Sequence, residues 1–195
     1  MRQVLLATQN AGKLVELQRI LGGEVELLPI GDLYAPGPET GATFEDNALA
    51  KALEGLRATG LPTVADDSGL AVDALNGMPG ILSARWAGRH GDDRANLELL
   101  LAQTTDVPDE RRGCGFVCAA AFALPGGRTG VVRGELRGRL VREPRGSGGF
   151  GYDPVLVPEG MEVTTAELPG SEKDRISHRG RAFRALTPLL LDALG

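Results

Sequence analysis

The chain has 195 residues, 42% of them hydrophobic and 24% charged, with a net charge of −5. That is an ordinary globular balance, long enough to bury roughly 70% of the unfolded surface around a real core. The acidic surplus argues against a general nucleic-acid binder, which needs basic surface for phosphate, and no apolar run reaches the ~18 residues of a membrane span.

Residues 1–10 hold too short an apolar run for a signal peptide, so a soluble, cytoplasmic protein is expected. Val4 to Ala7 reads as a buried strand. Leu14, Leu17, Ile20 and Leu21 then recur at helical spacing, and Gly22-Gly23 predicts the stop. Val25 to Leu28 reads as a second strand, which makes the opening an α/β pattern. Pro36-Gly37-Pro38 marks a loop. Thr43 predicts a helix N-cap with Asp46 in capping-box position, a stripe of Phe44, Ala48, Leu49, Ala52, Leu53 and Leu56, and an end at Gly60.

Pro62 to Ala65 predicts a short strand running into Asp66-Asp67-Ser68-Gly69. Asp92 to Gln103 looks helical. Cys114 to Leu124 and Thr129 to Leu136 predict an antiparallel hairpin about Pro125-Gly126-Gly127. Cys114 and Cys118 fall on one strand face and read as reduced core thiols. Ser177 to Leu194 predicts a closing helix. No repeat or linker divides the chain, so residues 1–195 read as one domain.

Four constellations could carry chemistry. Thr8-Gln9-Asn10-Ala11-Gly12-Lys13 joins a strand to a helix N-terminus, whose N–H groups and dipole suit phosphate; the plainer reading is a polar cap with a solvated Lys. It lacks the Walker A pattern. Glu39, Asp66, Asp67 and Asp73 form an acidic set. Adjacent carboxylates at a strand end repel, a hard cation would relieve that, and one of them could accept a proton from water; the alternative is a surface Asp-Asp turn. Gly146 to Pro154 combines glycines with Phe150 and Tyr152, rings able to stack on a base or simply to fill the core. Finally, Glu172-Lys173 precede Ser177-His178-Arg179-Gly180-Arg181, whose cations crowd the start of a helix against its dipole. A bound anion or an electronegative base edge would remove that conflict, and solvation of the Arg side chains would too. Arg137, Arg139, Arg142 and Arg145 read mainly as a solvated face.

Together these segments resemble the inosine triphosphate pyrophosphatase family, also called XTP/dITP diphosphatases. The resemblance runs from Leu6 to Ala182. It is carried by Ala7 to Lys13, Thr43 to Ala48 with Lys51-Ala52, Asp66 to Leu70 with Val72 to Leu75, Gly77 with Pro79-Gly80 and Ser83 to Arg85, Gly149 to Pro154, and Ser177 to Arg179. It implies an elongated α/β fold with a mixed, curved sheet flanked by helices, two lobes with a central cleft, and a homodimer. It also implies Mg²⁺-dependent hydrolysis of non-standard purine nucleoside triphosphates (ITP, dITP, XTP) to monophosphate and pyrophosphate. Carried over, Thr8, Gln9, Asn10, Ala11, Gly12 and Lys13 hold the triphosphate and Lys51 faces the phosphates. Asp67 is general base and metal ligand, with Glu39 the second metal carboxylate and Asp46 the alternative to it. Ser68 touches substrate. Phe150, Gly151, Tyr152 and Asp153 hold base and sugar, and Lys173, His178 and Arg179 complete the base pocket. Gln9, Asp46 and Trp86 depart from the family's commoner residues at their positions.

Rival readings are a pyrophosphatase for modified pyrimidines or ordinary nucleotides, a nucleotide-binding module without turnover, and an RNA binder using Arg137 to Arg145 with Phe150.

Overall fold

A computed structural model describes residues 2–21 and 23–195. Apolar runs and caps set its first half. Strand β1 (Gln3–Leu6) buries Val4, Leu5 and Leu6 completely. It pairs in parallel with β2 (Glu26–Pro29) on one side and β3 (Thr63–Val72) on the other. Helix α1 (Ala11–Leu21) follows β1. Of the expected glycine stop, Gly22 lies outside the described residues, as does Met1, and Gly23 adopts φ 116°.

Helix α2 (Phe44–Thr59) has the expected termini. Thr43 accepts from the Asp46 N–H and the Asp46 carboxylate accepts from the Thr43 N–H, the reciprocal bonds of a capping box. Gly60 closes the helix in the left-handed region at φ 71°.

Strand β3 differs from expectation. It runs ten residues, and Asp66-Asp67-Ser68-Gly69 lies inside it rather than in a turn beyond it. Asp, Ser and Gly are poor strand formers, but β3 sits between β1 and β4 (Gly113–Ala123) in the sheet, and tertiary pairing overrides that preference.

Helix α3 (Asp93–Gln103) is capped by Asp92, whose side chain accepts from the Ala95 N–H. Strands β4 (Gly113–Ala123) and β5 (Thr129–Leu140) are joined by a tight turn, and β5 continues past the expected end at Leu136. Two short elements lack a clear sequence signal: β6 (Leu156–Pro158), antiparallel to β5, and α4 (Gly170–Ile176). Ser177 ends α4 with extended backbone, so α5 (His178–Leu194) starts one residue later than expected.

The sheet order is β2-β1-β3-β4-β5-β6, a mixed α/β arrangement. By internal contacts the chain divides into two compact units. The first comprises Met1–Asp67, Cys118–Gly134 and His178–Gly195; the second comprises Ser68–Val117 and Glu135–Ser177. Leu6, Leu17, Val64, Phe122, Phe183 and Leu186 centre the first core. Leu70, Val72, Leu100, Phe116, Tyr152 and Leu156 centre the second. Burying each such side chain contributes about 1.5–3 kcal/mol. Both cysteines are buried thiols, and burial pushes Cys114 up to about 12.

Candidate active site

Side chains alternate along a strand, so consecutive aspartates in β3 point to opposite faces. Asp66 and Asp67 do not share one cation as an Asp-Asp turn would. Asp66 Oδ2 lies 2.9 Å from Lys13 Nζ and 3.3 Å from Arg179 Nε. Asp67 Oδ1 lies 3.4 Å from Lys51 Nζ, and Asp67 Oδ2 accepts from Asn47 Nδ2 at 2.9 Å. Both aspartates are buried.

Lys51 comes from α2 and joins two carboxylates. Its ammonium is 2.7 Å from Glu39 Oε1 as well as 3.4 Å from Asp67 Oδ1. Asn47, one helical turn earlier, reaches the same aspartate and accepts from the Gly41 N–H at 2.7 Å. Its amide therefore ties Asp67 to the segment that carries Glu39. Burial raises the Asp67 carboxyl and Glu39 adds to this, together outweighing Lys51, Lys13 and Asn47. Burial alone would lower Lys51, but Asp67, Asp66 and Glu39 hold its ammonium above the ordinary range. The two directions agree physically: one ammonium is shared by two carboxylates, which leaves local negative charge in excess.

That excess is what a divalent cation would neutralise. Among the described residues no three or more His, Cys, Asp or Glu side chains gather as a metal cage. Mg²⁺ needs no such cage, because it commonly takes one or two carboxylates and fills its shell with water and substrate phosphate. Glu39 and Asp67 fit that pattern, converging on one Lys51 ammonium. Asp46 does not compete well, since its carboxylate serves the α2 cap. A cavity of about 190 Å³ opens beside Glu39, Asn47 and Lys51. A larger one, about 330 Å³, lies between α1 and α5 at Ile20, Arg184 and Leu191, but holds none of these groups.

The Thr8 to Lys13 segment enters α1. Asn10 accepts from the Lys13 N–H at 3.1 Å and so caps the helix, while Thr8 Oγ1 accepts from the Asn10 N–H at 3.2 Å. The cap reading and the phosphate reading coexist, because these two side chains satisfy two of the four N–H groups that a helix start leaves without intrahelical partners. Gln9, Asn10 and Ala11 are exposed, and Gly12 is partly so.

The cations at the start of α5 divide, with Arg181 exposed. His178 and Arg179 are both buried. Arg179 donates to Asp66 through Nε and to Glu16 of α1 through Nη1. Burial opposes the charge, but Asp66 and Glu16 together hold the guanidinium above its ordinary range. Two carboxylates thus offset the unfavourable helix-dipole position.

In the second unit, Asp153 organises the glycine-rich loop. Its Oδ2 accepts from the Phe150 N–H at 2.8 Å and from Lys173 Nζ at 2.7 Å, and its Oδ1 accepts from Thr165 Oγ1 at 2.8 Å. Gly149 is at φ 72°, and a Cβ there would run into the Asp153 carboxylate, so glycine is required. The Gly151 N–H donates to Asp93 Oδ2 at 2.9 Å. The two aromatics separate. Tyr152 is buried and its hydroxyl donates to the Ser83 carbonyl at 2.9 Å, so it anchors the loop from the core. Phe150 is partly exposed, with Lys173 Nζ 5.2 Å from its ring centroid. Ser68 is a partly exposed residue of β3.

The arginine stretch pairs with carboxylates throughout. Arg137 pairs with Asp73 at 2.6 Å, Arg139 with Glu162 at 3.0 Å, Arg142 with Asp109 at 2.7 Å, and Arg145 Nε lies 3.8 Å from Glu167. Each of these half-exposed arginines thus has an acidic neighbour that offsets part of its charge.

Asn47, Glu16 and Thr165 did not stand out in sequence. Asn47 had a usable signal: it falls on the α2 stripe with Ala48, where a polar side chain must find a buried partner. Glu16 and Thr165 carry no comparable local signal.

The chain matches the Ham1 family over residues 4–189. It is 61% identical to the dITP/XTP pyrophosphatase of Nocardia farcinica, over 97% of this chain and 95% of that protein. It is 59% identical to the dITP/XTP pyrophosphatase of Streptomyces coelicolor, over 100% of each. Two solved structures resemble it. A nucleoside-triphosphatase, dITP/XTP pyrophosphatase, from Mycobacterium abscessus has TM-score 0.78 and 59% identity, covering 95% of this chain and 99% of that one. A HAM1 protein from Coxiella burnetii has TM-score 0.88 and 38% identity, covering 98% and 100%.

Proposed function

The chain belongs to the Ham1 family, and on that premise we propose that it is a nucleoside triphosphate pyrophosphatase. In this reading it cuts non-standard purine nucleotides (ITP, dITP and XTP) to monophosphate and pyrophosphate. The observation that carries the reading is the buried Asp67, sharing the Lys51 ammonium with Glu39 and oriented by Asn47.

Asp67 and Glu39 would hold Mg²⁺, which when bound supplies positive charge to the phosphate oxygens and to the developing transition state. Asp67 orients a water and accepts its proton as the water attacks the α-phosphorus. Burial raises its carboxyl above the ordinary aspartate range, which makes the anion a stronger base. Lys51 and Lys13 neutralise phosphate charge, and the first-turn N–H groups of α1 add a fixed positive dipole end, with Thr8, Gln9 and Asn10 beside them. Phe150 offers its ring to the base, backed by Gly151, Tyr152 and Asp153. Ser68 contacts substrate. Lys173, His178 and Arg179 read the base edge. A donor to the 6-oxo group of hypoxanthine or xanthine meets a mismatched 6-amino group in adenine, and leaving a buried donor unpaired can reject a substrate by about 10⁴–10⁵.

A homodimer and a cytoplasmic location belong to the same reading, and no described helix is long and apolar enough to cross a membrane. Product analysis by phosphorus NMR tests the reaction. Monophosphate with pyrophosphate is expected; diphosphate with orthophosphate would place the cut at the wrong bond.

A further inference from the structure

We propose that Thr165 is a positioning residue for base recognition, acting through Asp153 on Lys173 and Phe150. The proposal rests on the reading of the Gly149 to Asp153 loop as the base-holding segment. Thr165 is 1% exposed and Asp153 is 3% exposed, so neither bond competes with bulk water. The Thr165 hydroxyl has one proton. Its two nearby acceptors are Asp153 Oδ1 at 2.8 Å and the Asp153 main-chain carbonyl at 3.1 Å. That carbonyl already accepts from the Ala166 N–H at 3.3 Å, and a carboxylate is the stronger acceptor. The proton therefore belongs to Oδ1.

The consequence lies at the other carboxylate oxygen. Asp153 Oδ2 holds two donors, the Phe150 N–H and the Lys173 ammonium. A carboxylate is planar, so fixing Oδ1 fixes where Oδ2 points. Thr165 thereby sets the place of the ammonium and of the backbone that presents the Phe150 ring. The neighbouring backbone makes the brace stiff. The Gly148 N–H donates to the Ala166 carbonyl at 2.9 Å, the Thr164 hydroxyl donates to the Arg145 carbonyl at 2.8 Å, and the Thr165 N–H donates to the Leu156 carbonyl at 3.0 Å.

The test compares Thr165→Val, which keeps the shape and loses the hydroxyl, with Thr165→Ser, which keeps the hydroxyl. Steady-state kinetics on inosine triphosphate are read beside inhibition by inorganic tripolyphosphate, a probe with no base, and thermal melts. Thr165→Val is expected to raise KM roughly tenfold, the effect of losing one hydrogen bond to a charged group. Its kcat and tripolyphosphate inhibition should stay near wild type, and Thr165→Ser should restore KM. Thr165→Ala loses the same hydroxyl without adding bulk and carries the same expectation, should the Val variant not fold. A lower melting temperature with unchanged KM would overturn the proposal, because it would leave Thr165 a purely structural role. Equal defects in the Ser and Val variants would overturn it as well. Phe150→Leu separates the levels: unchanged KM there would remove the base-loop reading itself, whereas raised KM there with normal Thr165→Val kinetics would remove only the role of Thr165.

Discussion

Asp66 and Asp67 are neighbours on β3, yet their carboxylates serve different cations: Asp66 binds Lys13 and Arg179, and Asp67 faces Lys51 and Asn47. Strand alternation turns one dipeptide into a structural charge hub and a chemical group.

The two positions should therefore fail differently. Asp66→Ala removes one partner from a buried charge network and is expected to cost about 3–5 kcal/mol. For a chain of this size that is a fall in melting temperature of roughly 10 °C. Asp67→Asn should lower kcat by at least about 100-fold. It should not lower the melting temperature, because the fold already penalises the Asp67 anion by burial. Denaturant titration and kinetics on both variants check this. Normal turnover in Asp67→Asn would remove it as the base.

The raised Asp67 carboxyl has two pH consequences of opposite sign. Activity that needs the anion is present above the folded-state pKa and lost as pH falls through it. The acid limb of kcat/KM is thus expected above the ordinary aspartate value of 3.8. Stability contributed by the protonated form is complete below the ordinary value and lost as pH rises through the folded one. Added Mg²⁺ favours the anion and should move the acid limb to lower pH. A limb at the ordinary value, indifferent to Mg²⁺, would contradict this.

Asn47→Ala leaves Asp67 Oδ2 and the Gly41 N–H without their shared partner. Losing the bond to the buried Asp67 carboxylate costs about 1–3 kcal/mol. We expect that loss in equilibrium unfolding, with a fall in kcat of about tenfold as Asp67 loses its fixed orientation. A stability loss with unchanged kcat would confine Asn47 to the fold.

The two loop aromatics should also separate. Phe150→Leu removes a stacking surface worth about 1–3 kcal/mol per base, and should appear in KM. Tyr152→Phe removes the hydroxyl bond to the Ser83 carbonyl and should cost about 0.5–1.5 kcal/mol of stability, with KM nearly unchanged. Kinetics and melts on the pair give the comparison, and the reverse pattern would exchange their roles.

Local chemistry decided what the sequence made legible. The α2 caps need only Thr43, Asp46 and Gly60, all in or next to one helix, so both ends are readable. The continuation of β3 through Asp66 to Gly69 was not, because strand pairing on both sides overcomes the poor propensity of those residues. Lys13, Lys51 and Asp67 were found by motif and resemblance. Their arrangement was not, because the partners that fix it are distant: Arg179 lies 113 residues from Asp66, and Asn47 lies 20 from Asp67. Tyr152 and Phe150 look equivalent in sequence, but Tyr152 joins the second core and bonds the Ser83 carbonyl, while Phe150 stays partly exposed.

Pyrophosphate release with Mg²⁺ from inosine, xanthosine, adenosine and guanosine triphosphates, assayed in parallel, tests whether this chain is a base-selective pyrophosphatase. Strong release from the first two and little from the others is expected. No release from any of them would contradict the enzyme reading, and equal release from all would keep the phosphate chemistry while contradicting base selection.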